Sequence, residues 1–216
     1  MDFFLGIIAS LVTQLIIFIF IRIFKLEKIK LSIAKKLLKE DYFPFDNQKK
    51  AVTDIYEKLK ESCEIRILSI RGISYIGDEG DFSFIWEDKS KRIEIILSDI
   101  FNSSIKRRSG AVHINNKDYK KEIELVNEYI LQMFYLCPNL TYYRHNQDLA
   151  FRLIILDKYM YLSFFNISIK ASESKMYRFE RDSQIYKAFL KYYKDIRRVS
   201  KKVKINDMAS GENLNG

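Results

Sequence analysis

A few polar residues stand at the ends of short runs of branched apolar residues, where side chains meet solvent and could do chemistry. Arg71 and Gly72 follow EIRILSI, Asp99 follows RIEIIL and Ser98, His145 and Asn146 follow LTYYR with its Arg144, and Arg152 opens the run that ends at Leu156. Such runs read as buried strands. In open α/β sheets the ligand crevice lies beyond the carboxyl ends of strands. Arg71, Gly72, Asp99, Arg144, His145, Asn146 and Arg152 are therefore expected on one rim.

Other chemistries lack their residues. Cys63 and Cys137 have no CxxC or CxxxH neighbours, so they read as reduced thiols without a zinc site. The two histidines, His113 and His145, are too few for a multi-histidine metal centre. There is no phosphate-binding Walker loop, GxSxG elbow, HExxH helix or paired-carboxylate motif. No cofactor is implied.

The elements that must position the rim alternate in type. Asp46 is expected to cap a helix over 47–62, with Val52, Ile55, Tyr56 and Leu59 inward. Strands follow over Glu64–Ile70 and Arg92–Leu97, separated by Tyr75–Lys91, which its glycines and acids mark as a loop or an excursion over the surface. Phe101–Asn116 is polar and basic. Lys117–Tyr135 is a helix with Ile123, Val126, Ile130, Leu131 and Phe134 inward, then Leu140–Arg144 is a strand. Phe151–Leu156 and Met160–Phe165 form a hairpin about Asp157-Lys158, and an amphipathic helix over Glu180–Lys202 closes the pattern. This alternation predicts an α/β fold with a mixed β-sheet and helices on both faces.

One strand carries a motif. Ala150-Phe151-Arg152 followed by Asp157, with a hairpin after it, resembles the HxKxxxxD strand of the phospholipase D superfamily, and the order of elements over about Glu64–Lys202 is similar to one half of that fold. In that family the histidine is the nucleophile, the lysine binds phosphate and the aspartate closes the motif. The resemblance puts Ala150 at the histidine, Arg152 at the lysine and Asp157 at the aspartate. The usual Gly-Ser-x-Asn end is eroded to Ser163-Phe164-Phe165-Asn166. Alanine cannot form a phosphohistidine, so the covalent mechanism is lost. Arginine suits a phosphate that is held and not attacked. The resemblance therefore implies a degenerate domain that binds without catalysing. Asp157 also has a sufficient role as a turn residue.

Ahead of this domain, Phe3–Phe24 is a run of about 22 residues with no charge before Arg22. At about 1.5 Å per helical residue it spans roughly 33 Å, enough to cross a bilayer core. The cations after it, Arg22, Lys25, Lys28 and Lys30, predict a cytoplasmic C-terminal side in a single-pass inner-membrane protein with its N-terminus out. Gly6, Ser10, Thr13 and Gln14 share one helical face and suit self-association of this helix. Leu26, Ile29, Ile33 and Leu37 continue it as an amphipathic stalk. The expected organisation is a transmembrane helix over 1–24, stalk and linker helices over 25–62, the α/β domain over 63–204 and a disordered tail over 205–216.

The net charge of +9 concentrates in two places. Six lysines face two glutamates over Lys25–Glu40, and eight cations face Asp195 over Lys187–Lys204. Both suit an anionic inner leaflet, and nucleic acid is not favoured as the partner. Together these features predict a membrane-anchored, non-catalytic sensor or effector that binds a phosphate-bearing ligand, a nucleotide above all, or a partner protein, and signals to its membrane helix as a homo-oligomer. By analogy of architecture, bacterial defence through inner-membrane disruption is the expected setting. The alternatives are a structural membrane adaptor and a membrane-bound phosphodiesterase or nuclease.

Overall fold

Branched and aromatic residues dominate eight strands that a computed structural model of the chain assembles into one sheet; it describes residues 42–77, 80–165 and 173–204. The strands are β1 (Tyr42–Phe45), β2 (Glu64–Ser69), β3 (Arg92–Ser98), β4 (Leu140–His145), β5 (Phe151–Ile155), β6 (Tyr159–Phe164), β7 (Met176–Glu180) and the two-residue β8 (Lys201–Lys202). Their order across the sheet is β1-β7-β6-β5-β2-β3-β4-β8. β2, β3 and β4 run parallel, and every other pairing is antiparallel.

Alternation along each strand makes two cores. Ile65, Ile67, Ile93, Ile95, Tyr142 and Ile154 pack on one face, under helix α1 (Gln48–Glu61) and helix α4 (Asn116–Leu136). Leu68, Ile96, Tyr143, Leu153, Ile155 and Leu162 pack on the other, under helix α5 (Gln184–Val199). A central sheet apolar on both sides needs such cover on both, so the expected mixed α/β architecture is the observed one.

Several local expectations are corrected. Asn47, not Asp46, caps α1: its side chain accepts from Lys50 N at 2.9 Å, while Asp46 pairs with the Lys50 ammonium. Ala51 is buried on the inner face of α1 and Tyr56 is exposed, its ring against Phe84. The stretch 75–91 is no surface excursion. It starts within a short helix α2 (Ile73–Ile76), holds a 3-10 turn (Ser83–Trp86), and buries Tyr75, Phe82, Ile85 and Trp86. The polar stretch 101–116 contains helix α3 (Ser104–Ala111), whose buried residues include Ile105. Met176–Glu180 is a strand, so the last helix begins at Gln184, capped by Ser183 accepting from Tyr186 N. Of the residues grouped by sequence pattern with the stalk and linker, Tyr42–Phe45 pairs with β7 and α1 buries Ala51, Ile55 and Leu59 in the core. The expected membrane helix with Gly6, Ser10, Thr13 and Gln14, the stalk to Leu37 and the tail from residue 205 lie outside the described residues.

Candidate functional site

Strand direction decides which of the seven rim residues can meet. β2, β3 and β4 all end at one edge of the sheet, and antiparallel β5 begins there: Leu68 lies opposite Leu153, which brings Arg152 beside the end of β2. At that edge Gly72 adopts φ +75°, in the left-handed region that favours glycine, and a Cβ there would come within 3.1 Å of the Ile76 and Leu97 side chains. Its carbonyl accepts from Tyr75 N and Ile76 N, so Gly72 turns the chain into α2 and seats Tyr75 over the sheet.

The result is a small cavity of about 50 Å³ whose lining includes Arg71, Tyr75, Arg108, Tyr119, Arg152 and Phe165. Arg152 is 4% exposed, with Nη2 3.5 Å from Ser163 Oγ and its guanidinium 5.5 Å from the centre of the Tyr75 ring. Arg108, on α3, donates to Leu149 O at 2.7 Å and lies 4.3 Å from the Phe165 ring. Arg71 pairs with Glu122 of α4 and stands 4.7 Å from the Tyr119 ring. Burial lowers the pKa of Arg108 and of Arg152, because desolvation disfavours the charged form. Burial raises the Tyr75 and Tyr119 hydroxyls, which stay neutral donors. Among the described residues, Tyr75 Oη and Arg108 Nε are buried without a hydrogen-bond partner. Orphaned donors of this kind cost about 1–3 kcal/mol each unless a ligand or water meets them. Converging guanidiniums and neutral hydroxyls can hold a tetrahedral oxyanion.

The other sequence-predicted residues do not line this cavity. His145 is 2% exposed; its Nδ1 accepts from Gln147 N at 3.2 Å and its carbonyl accepts from Asp99 N at 2.9 Å. Burial lowers its pKa to about 4. Asp99 Oδ1 accepts from Phe101 N and so closes the turn after β3. Asn146 is exposed, and Arg144 is half-buried between Leu97 and Lys201 in the register of β4. Asp157 lies at the opposite edge of the sheet, where its carboxylate accepts from Cys63 N at 2.8 Å and Glu64 N at 2.9 Å and fastens the start of β2. It is five positions on from Arg152, at about 3.3 Å per extended residue. Sequence reasoning missed Arg108, Tyr75 and Tyr119. The adjacent pair Arg107-Arg108 is the one signal that could have raised the first.

No family model and no curated relative matches the sequence. Among solved structures, the phosphatidylserine synthase of Haemophilus influenzae Rd KW20 is similar with a TM-score of 0.52 at 13% identity, over 76% of this chain and 39% of that one. NucT from Helicobacter pylori gives 0.49 at 14% identity, over 75% and 98% of the two chains. Nuc from Salmonella typhimurium, a phospholipase D family member, gives 0.47 at 13% identity, over 76% and 95%. The fold of this chain is therefore similar to that of the phosphatidylserine synthase.

Proposed function

We propose that the domain is a non-catalytic binding module that holds a phosphate-bearing ligand between Arg71, Arg108 and Arg152, and that it signals binding to an N-terminal membrane helix. The observation that carries this role is the convergence of three arginines on one small cavity, with Tyr75 Oη and Arg108 Nε orphaned around it, beside an alanine at the position the resemblance assigns to the nucleophile. A phosphate would partner those donors and relieve the desolvation of Arg108 and Arg152.

A phosphodiesterase would need a replacement nucleophile. His145 is buried and lies off the cavity, which leaves His113, exposed in a groove that Ala150 also lines. Titration of inorganic phosphate into the full chain in detergent tests the binding role. Binding is expected, with Arg152→Ala weakening it about 10- to 100-fold, the effect of one charge-assisted contact of about 1.5–3 kcal/mol. Absence of phosphate binding would favour the adaptor alternative. Phosphodiester turnover lost in His113→Gly or His145→Ala would make the protein an enzyme.

A further inference from the structure

A second cluster of charge lies at the opposite edge of the sheet, where β2, β3 and β4 begin. In the parallel register Glu64 and Arg66 of β2 stand beside Arg92 and Glu94 of β3. These four alternate with Ile65 and Ile93, which are buried in the other core, so they share the sheet face that α5 covers. That face is apolar at Leu68 and Ile96 and turns charged at this end. With Lys194 and Arg197 of α5 the four line a cavity of about 270 Å³, and none of the six lines the arginine cavity.

The charges around this cavity do not balance. Arg66 Nη2 and Arg92 Nη1 both donate to the Glu64 carboxylate, at 2.6 and 2.5 Å, so one anion serves two cations. Glu94 accepts from Arg197 Nε at 2.7 Å. Among the described residues Lys194 has no carboxylate partner. Four cations thus meet two carboxylates, an excess of two positive charges. Each guanidinium carries five N–H donors, and these ion pairs use one on each. The Glu94 and Arg66 side chains are only 15% and 26% exposed, so water screens the excess less than it would on an open surface.

We infer that this cavity is a binding site for a small dicarboxylate, separate from the phosphate role proposed above. Two carboxylates match the excess of two charges. The guanidiniums already grip flat carboxylates, those of Glu64 and Glu94, and their remaining donors can take a second one in the same manner. One end of the ligand is assigned to Arg66 and Arg92 on the strands and the other to Lys194 and Arg197 on α5. Ile65, Ile93 and Tyr193 also line the cavity and offer apolar surface to the carbons between the two ends. The volume lies just below the range of about 300–1,000 Å³ of drug-sized sites, which suits a ligand of a few carbons.

Calorimetric titration of the full chain in detergent with malonate, succinate and glutarate, at constant ionic strength and with acetate as the single-carboxylate control, tests this site. At least one of the three is expected to saturate the protein and to bind tenfold or more tightly than acetate. Arg92→Ala and Lys194→Ala alter exposed side chains, where loss of an ion pair costs the fold little. Each is expected to weaken that ligand severalfold, and thermal unfolding of the double variant shows that it remains folded. Saturating inorganic phosphate is expected not to displace the dicarboxylate. The assignment is overturned if none of the three saturates, if acetate binds as tightly, or if the folded double variant keeps the parental affinity. Displacement by phosphate would overturn it too, by making the cavity a site for anions in general.

Discussion

At the scale of single residues, burial changes what each polar group can do. His145 follows Arg144 in a segment that looks like an exposed, reactive loop, yet its imidazole is enclosed and stays neutral down to a pH of about 4. The unfolded chain binds a proton at the ordinary value near 6.5, so between about pH 4 and 6.5 the unfolded state carries more protons than the native one. Stability is therefore full above about pH 6.5 and is lost as pH falls, by up to roughly 3 kcal/mol. Urea unfolding of the full chain at pH 7.5 and pH 5 should show this loss, and His145→Phe should flatten the difference. An unchanged pH slope in the variant would show that other groups carry it. The same physics acts at Arg152, whose burial likewise disfavours its charged form, whereas the Asp157 carboxylate accepts from two backbone amides at the far edge of the sheet.

At the scale of elements, the ends of helices and strands are tied by residues far away in sequence. Lys91 is 5% exposed and its ammonium donates to the carbonyls of Leu59, Lys60 and Ser62 at 3.0, 3.1 and 2.8 Å. Those carbonyls close the C-terminal end of α1, where the helix leaves acceptors unmet and a cation is favoured. Lys91→Met should strand them and cost about 2–3 kcal/mol, which for a domain of this size lowers Tm by roughly 5–10 °C. Thermal unfolding followed by circular dichroism checks this, and a change within about 1 °C would mean that water replaces the ammonium. Helix α1 is joined to the sheet in a similar way: Arg178 of β7 bonds Asp54 of α1 at 2.8 Å, and Tyr161 of β6 donates to the same carboxylate at 2.6 Å. This pairing is why residues that read as a linker serve as part of the domain.

At the scale of the whole molecule, the cations of the last helix divide into two sets. Arg197 bonds Glu94 and the Tyr143 hydroxyl, while Lys187, Lys191 and Lys194 are exposed on α5. An anionic bilayer, the partner expected from the sequence, would attract such lysines at about 1 kcal/mol each. A reporter fused after Gly216 should be active only in the cytoplasm; periplasmic activity would reverse the expected topology. Gly6→Leu combined with Gln14→Leu should leave membrane insertion intact and reduce crosslinked oligomer, because interhelical hydrogen bonds in lipid contribute only about 0.6–2 kcal/mol and close approach depends on the small residue. Parental crosslinking in that double variant would make the helix a tether alone.

The parts of this protein that sequence by itself determined are those with a local cause. The runs EIRILSI, RIEIIL and FRLIIL announce strands because branched residues recur without polar interruption, and the hairpin about Asp157-Lys158 follows from adjacent runs and a turn residue. Ala150 at the histidine position is likewise legible, since a missing side chain needs no fold to be seen. β7, with Tyr177 and Arg178 inside five residues, and α3, with SIKRRSGA, lack that local signal; they are stabilised by what they pack against. The site divides in the same way. Arg71 and Arg152 could be placed at one rim from strand ends. Only the tertiary structure brings Arg108 between them from a helix more than thirty residues from either, removes Asp99, Arg144, His145 and Asn146 from the cavity, and carries Asp157 to the far edge, because the parallel or antiparallel direction of each strand, and not its sequence, decides which ends meet.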